Sequence, residues 1–404
     1  MQRRATLGAV AALGAALAAA ATAAALVPLP TRLTQALAVP NVSHRQEGAV
    51  AVDLDSGVPV FARNPDVSLV PASNEKLFVT YAAAKELGAD YRFRTEVLGE
   101  GYRDGAVWHG DLVLKGFGDP TLTSAGLGRL AAQLAAVGIE RVTGRLVGDE
   151  SWFDAVRTAP GWKPDFYLAE SAPLSALVVN GDVVGQRLAL DPPLATAAQF
   201  RRLLRAHGIT TGRVVVGRAS TGATVLAEVH SRTLARILVD MDHDSENFVA
   251  EMLLKELGAE ESGEGTTAAG SAVVVRALAG AAIPLAGVHI ADGSGLSLDD
   301  RTTARALAAL LVACWRDPAL RTVVWNALAT PGEPGTLEHR LPDEPAHSLV
   351  RAKTGTTDLS SALSGYVGTR YAFVLLENGS PVAWDWARLA QDRFVEALAR
   401  AASG

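Results

Sequence analysis

Strand-forming runs stand at both ends of this chain with helical periodicity between them, so a sheet that uses both sets must bring the two ends together. Near the front, GAVAVDLDSGVPVFARNPD (48–66) reads as a strand, an Asp-Ser-Gly turn and a second strand. Near the back, HSLVRAKTGT, SALSGYVGT and YAFVLLENG are strand-like runs parted by turns, and Ala383 to Ala402 closes as an amphipathic helix. Helical patterns dominate from Ser231 to about Leu328. Between about Ala89 and His230 the texture is short alternating runs with glycine turns, interrupted by the helical pieces GLGRLAAQLAAVG and AAQFRRLLRAHG. The pattern predicts one α+β domain, built from residues 39–88 and 231–404, whose sheet joins the two ends and which carries an insertion at 89–230.

With 404 residues, 49% of them hydrophobic, the chain can bury a large core and is not disordered. Its net charge of −6 argues against a nucleic-acid partner held through phosphates. The one cysteine, Cys314, lies in the apolar run ALAALLVACWRD and reads as a small buried hydrophobe, which excludes an intrachain disulfide and a cysteine-built zinc site. Met1 to Arg4 carry two arginines, and Leu7 to Val27 carry no charge, which reads as an export signal or a membrane anchor. Ala36-Leu37-Ala38 is a small-x-small cleavage candidate, so residues 1–38 are assigned to the leader and the rest to the far side of the membrane.

A helix is expected from Ser73 to Leu87, SNEKLFVTYAAAKEL, with Ser and Asn as cap formers and Gly88 at its end. Apolar residues cover most of its circumference, so it is buried. Ser73 and Lys76 are three apart and share a face. Desolvation disfavours an ammonium, so Lys76 can take the serine proton and make a weak hydroxyl a nucleophile. Ser245-Glu246-Asn247 opens the second helical region, and Lys353-Thr354-Gly355 lies in the strand-like RAKTGTT. A second serine hydroxyl can relay a proton to a leaving nitrogen, and Asn247 can hold a substrate amide. Lys353 supplies charge, and Thr354 a directed hydroxyl, to a substrate carboxylate. Gly355 leaves room for a peptide to add to the strand edge, and the backbone N–H groups of Ser73 and Thr356 are candidates for an oxyanion hole. The bland account makes Ser245 a helix cap and Lys353 an exposed strand charge. Scarcity argues against it: only six lysines are present, two of them complete motifs, and each motif occurs once.

With these three motifs, the chain resembles the D-alanyl-D-alanine carboxypeptidase/endopeptidases of the class C low-molecular-mass penicillin-binding proteins. Further similar stretches are DLVLKGFGDPTL (111–122), GRLVGDESWFD (144–154), APLSALVVNGD (172–182), DGSGLSLDDRTTARAL (292–307), GTLEHRL (335–341) and AKTGTTDLSSALSGYV (352–367). The resemblance implies a β-lactamase/transpeptidase-like domain, an antiparallel sheet flanked by helices, interrupted by a β-rich α/β insertion. It implies Ser73 as the acylated nucleophile, Lys76 as its base, Ser245 and Asn247 as the middle motif, and Lys353 to Thr356 as the strand that receives the terminal carboxylate. Asp165, in APGWKPDFYLAESAPLSAL, is similar to a family aspartate that meets a stem-peptide amine; its alternative is an exposed loop carboxylate. Peptidoglycan stem peptides as substrate, β-lactams as covalent inhibitors and no metal or organic cofactor are implied as well. Two rivals are a serine β-lactamase and a catalytically dead wall-binding protein. The first lacks a Glu-x-x-x-Asn spacing from Phe248 to Ala352, and the second sits poorly with intact motifs. A Ser-His-Asp hydrolase on Ser294 lacks the Gly-x-Ser-x-Gly elbow, and no His-Glu-x-x-His helix supports a zinc peptidase.

Overall fold

Two sheets organise the residues that the computed structural model describes, 27–184 and 187–404. Residues 1–26, which hold nearly all of the apolar leader, lie outside the described residues. The chain enters through α1 (Leu29–Ala36) and forms the hairpin β1 (Glu47–Asp53) and β2 (Pro59–Arg63). Its turn follows the Asp-Ser-Gly signal: Asp53 Oδ1 accepts from the backbone N–H and the hydroxyl of Ser56, each at 2.9 Å, and Gly57 takes φ +71°. A 3₁₀ turn (Ala72–Glu75) leads into the buried α2 (Lys76–Glu86).

The expected single capped helix from Ser73 is therefore corrected. Neither Ser73 nor Asn74 caps it, because the hydroxyl of Ser73 is held by Lys76 and the Asn74 amide donates to the Lys353 carbonyl.

The insertion supplies β3 (Arg94–Asp104), β4 (Val107–Gly116), α3 (Ser124–Ala136), β5 (Arg141–Val142), β6 (Leu146–Asp149), β7 (Val183–Val184), β8 (Arg187–Leu188), α4 (Pro192–Ala206), β9 (Val214–Val216) and β10 (Thr224–His230). These form a sheet of order β10-β3-β4-β6-β9, with β5 beside β4 and a separate β7–β8 pair. The β4–β6 and β6–β9 pairings are parallel, so α3 and α4 serve as the crossovers between them. Leu127, Leu130 and Leu134 of α3 and Phe200 and Leu204 of α4 close a core over Val97, Leu112, Leu114 and Leu146.

The chain then runs through α5 (Leu234–Asp244), α6 (Asn247–Ser262), α7 (Thr267–Gly280), α8 (Ala304–Arg316), α9 (Pro318–Ala327), α10 (Ala346–Leu349), β11 (Val350–Thr356), β12 (Ser360–Val367), β13 (Tyr371–Asn378) and α11 (Trp384–Ala402). The second sheet is antiparallel, of order β11-β12-β13-β1-β2, so β1 and β13 join the front of the chain to its back as the strand distribution requires. Both faces are covered. Val50, Val52, Val374 and Leu376 pack on one side with α2 and α5 to α9, while Ala49, Ala51, Phe373 and Leu375 pack on the other with α1 and α11. Cys314 is buried in the first of these cores, and burial pushes its thiol up to about 12.

The Ala36-Leu37-Ala38 candidate falls inside this packing. Leu33 and Leu37 are fully buried beside Phe394 and Leu398, so cleavage after Ala38 strips two leucines from a core. Among the described residues no helix is long and apolar enough to cross a membrane.

Candidate active site

Three elements of distant sequence meet at one cleft. Lys76 opens α2, fully buried, and its Nζ donates to Ser73 Oγ at 3.1 Å, Asn247 Oδ1 at 2.8 Å and the Ser294 carbonyl at 2.7 Å. Lys353, also fully buried, donates from β11 to Ser245 Oγ at 2.9 Å and to the Thr354 carbonyl at 3.0 Å. The exposed strand charge of the bland account is absent. The residue before one serine and the other serine itself carry left-handed backbone: Ala72 has φ +47° and Ser245 φ +62°. Such conformations cluster where surrounding packing over-determines them, as at active sites.

Burial lowers the Lys76 amine to about 8, against the pull of Asp292, Asp242, Glu251 and Glu246. Lys353 is lowered to about 7, by burial first and by the charge of Lys76 second, with Asp242 acting the other way. The contacts of Lys76 direct where its proton goes. Asn247 Oδ1 and the Ser294 carbonyl can only accept, so the free amine keeps its two N–H groups on them and turns its lone pair to Ser73.

The turn that supplies that carbonyl is itself held tightly. Asp292 accepts from Gly295 N at 2.7 Å, Ser297 N at 2.8 Å and Trp162 Nε1 at 2.8 Å, and Glu251 accepts from Gly293 N and Ser294 N at 3.0 and 2.8 Å. A Cβ at Gly295 would stand 1.9 Å from the Ala72 carbonyl, so only glycine lets this turn back onto the nucleophile loop. Ser294 is fully buried with its hydroxyl on Asp292, which removes it as a rival nucleophile. Glu75, buried beneath the loop, has its carboxyl pushed well up by burial and by the charges of Asp292 and Glu251.

On β11, alternation sets Lys353 and Gly355 on one face and Thr354 and Thr356 on the other. A Cβ at Gly355 would meet Asn74 Nδ2 and the Pro71 carbonyl, each at 3.0 Å. The glycine is therefore accounted for by the approach of the nucleophile loop, a different reason from the substrate clearance expected. β11 is the edge strand; beyond it Ala329 pairs with Ala352.

Asp165 lies exposed on a 3₁₀ turn (Pro164–Phe166). Its segment straps the cleft. Trp162 bonds Asp292, Lys163 Nζ pairs with Asp358 Oδ2 at 2.9 Å, and Asn247 Nδ2 donates to the Glu170 carbonyl at 3.0 Å. Sequence reasoning missed Trp162, Asp242 and Glu251, and used the Asp292–Gly295 run only as a similar stretch and as a rejected rival site. Its signal was two glycines flanking Ser294 after an aspartate, the composition of a tight turn.

Comparison with known proteins decides the family. The model of the D-Ala-D-Ala carboxypeptidase 3 (S13) family matches residues 29–194 and 186–401. The chain belongs to this family. A D-alanyl-D-alanine carboxypeptidase of Actinomadura sp. (strain R39) is 34% identical over 84% of this chain and 79% of that protein. Carboxypeptidase DacB of Mycolicibacterium smegmatis is 33% identical over 86% and 78%. Among solved structures, penicillin binding protein 4 of Haemophilus influenzae superposes with a TM-score of 0.81 at 22% identity, covering 93% of this chain and 99% of that one. Bd3459, a predatory peptidoglycan endopeptidase of Bdellovibrio bacteriovorus, gives 0.58 at 17%, covering 88% and 92%. These superpositions bear out the expected fold, an antiparallel sheet flanked by helices and interrupted by a β-rich α/β insertion.

Proposed function

We propose that this S13 peptidase, a serine D-Ala-D-Ala carboxypeptidase, acts through Ser73 with Lys76 as its base. The observation that carries the reading is a fully buried amine 3.1 Å from a serine hydroxyl, with its other contacts acceptors only. Ser73 Oγ attacks the carbonyl of the penultimate D-alanine of a stem peptide while Lys76 takes its proton. The backbone N–H groups of Ser73 and Thr356 receive the developing oxyanion. The C–N bond then breaks, the leaving nitrogen takes a proton through Ser245, and D-alanine departs. Water, deprotonated by the same base, hydrolyses the acyl-enzyme. Cutting a D-alanyl cross-link, an endopeptidase reaction, follows the same steps.

The terminal carboxylate docks on Thr354 and Thr356, which share a face of β11, with Lys353 supplying positive charge from beneath, and the free length of β11 past Ala352 supports strand-like binding of the peptide. An arriving carboxylate favours the Lys353 ammonium, and that positive charge pushes Lys76 toward the free amine. Asp165, on the strap, meets an amine of the stem peptide. β-Lactams acylate Ser73; a β-lactam complex of the Haemophilus protein and a penicillin G-acylated form of Bd3459 support this. Residues 39–88 and 231–404 form the catalytic part and 89–230 the insertion, a division supported by two sheets with separate cores. The enzyme works outside the cytoplasm, on the cell wall.

D-Alanine release from a stem pentapeptide tests the mechanism. Lys76→Ala lowers kcat by about 10³-fold while circular dichroism stays native. Release at the parent rate by the folded variant would overturn the role of Lys76.

A further inference from the structure

Asp242 is a fully buried carboxylate that the mechanism above does not use. It lies in the last turn of α5, three residues before Ser245, and packs against α2, where Thr80 Oγ1 donates to its Oδ2 at 2.7 Å. Thr80 stands one helical turn beyond Lys76, so the carboxylate lies against α2 one turn from that lysine. Its Oδ1 is buried with no hydrogen-bond partner among the described residues. A buried carboxylate with one free oxygen is costly unless a cation lies near it.

We propose that Asp242 is the counter-ion shared by the two active-site lysines, a positioning residue that holds Lys353 as an ammonium until a substrate carboxylate arrives. This rests on the roles given to Lys76 and Lys353 above.

The groups around it fit that task. On α2 Thr80 bonds it, and the charges of Lys353 on β11 and of Lys76 on α2 act on it, that of Lys353 the more strongly. From α9 the buried residues are Leu320, Val323, Val324 and Ala327, which bring no charge. From the start of α6 come Glu246 and Glu251, which act on Lys76, and Asp292 acts on it from the turn beyond. The charge of Asp242 acts on both lysines, raising the proton affinity of each against burial. Burial raises Asp242 itself to about 6, so it is ionised at neutral pH.

An ionised neighbour favours an ammonium, so Asp242→Asn lowers the proton affinity of both amines. Both limbs of the kcat/KM profile, which report the two amines of the free enzyme, move to lower pH. Loss of the Lys353 charge shows as a rise in KM for a carboxylate-ended peptide.

The test is a titration of the full chain carrying ¹³C at the lysine ε-carbons, followed by NMR beside the pH profile of stem-pentapeptide cleavage. Six lysines give six signals, and in Asp242→Asn the midpoints of Lys76 and Lys353 fall by about one pH unit while the other four stay. Thr80→Val, which removes the hydroxyl that stabilises the ionised carboxylate, gives a smaller shift of the same sign and decides the matter if Asp242→Asn does not fold. Unmoved midpoints in the folded variants, or a rate lost equally at every pH, would overturn the proposal. Midpoints that move under an unmoved rate profile uphold the counter-ion and overturn the base role of Lys76 instead.

Discussion

Asn247 connects two parts of the cleft through one amide: its oxygen accepts from Lys76 and its nitrogen donates to the Glu170 carbonyl of the strap. Asn247→Ala removes both bonds. The acylation rate should fall by about 100-fold, and the strap, freed at one end, should be cut faster in limited proteolysis within residues 161–170. Loss of rate with unchanged proteolysis would separate the two roles. The three motifs were readable at this scale because each pairs a nucleophile, amide or cation at a spacing chemistry requires. Asp242 and Glu251 were not. Asp242 stands among four acidic residues in VDMDHDSEN, a pattern that looks like a solvated face, and burial of a carboxylate leaves no mark in sequence.

Among the elements, α1 separates sequence pattern from structure most clearly. Read linearly, Leu33 and Leu37 continue an apolar leader, yet they complete the core between α1 and α11. A chain beginning at residue 40 loses both, and burial of each leucine is worth roughly 1.5 to 3 kcal/mol. Compared with a chain beginning at residue 27, its urea midpoint should drop by an amount equivalent to about 3 kcal/mol or more. Equal midpoints would show that α1 is dispensable. The hairpin β1–β2 and the helices of the insertion were readable from alternation and periodicity. The parallel pairing of β4, β6 and β9 was not, because short alternating runs carry no direction of pairing.

Across the whole molecule, buried carboxyls set an unusual dependence of stability on pH. Burial raises Glu256, Glu377 and Asp182 each to about 8, and Glu75 and Asp300 well above the carboxylate range. A raised group binds more proton folded than unfolded, so its contribution is full below the unfolded value, near 4, and is lost as pH rises through the folded one. The melting temperature should therefore fall by on the order of 5 °C between about pH 5 and pH 8. A flat or rising curve there would contradict the assignment of protonated carboxyls. The joining of the chain's ends was readable from strand runs at both termini, whereas the strap over the cleft was not, since it depends on contacts such as Lys163 with Asp358, 195 residues apart. The central claim is a serine made reactive by a buried amine. Incubation with labelled penicillin, followed by digestion and mass mapping, tests it most directly. The label should appear on the peptide holding Ser73 and vanish in Ser73→Ala; label that persists in that variant, or that maps to Ser245 or Ser294, would contradict the account.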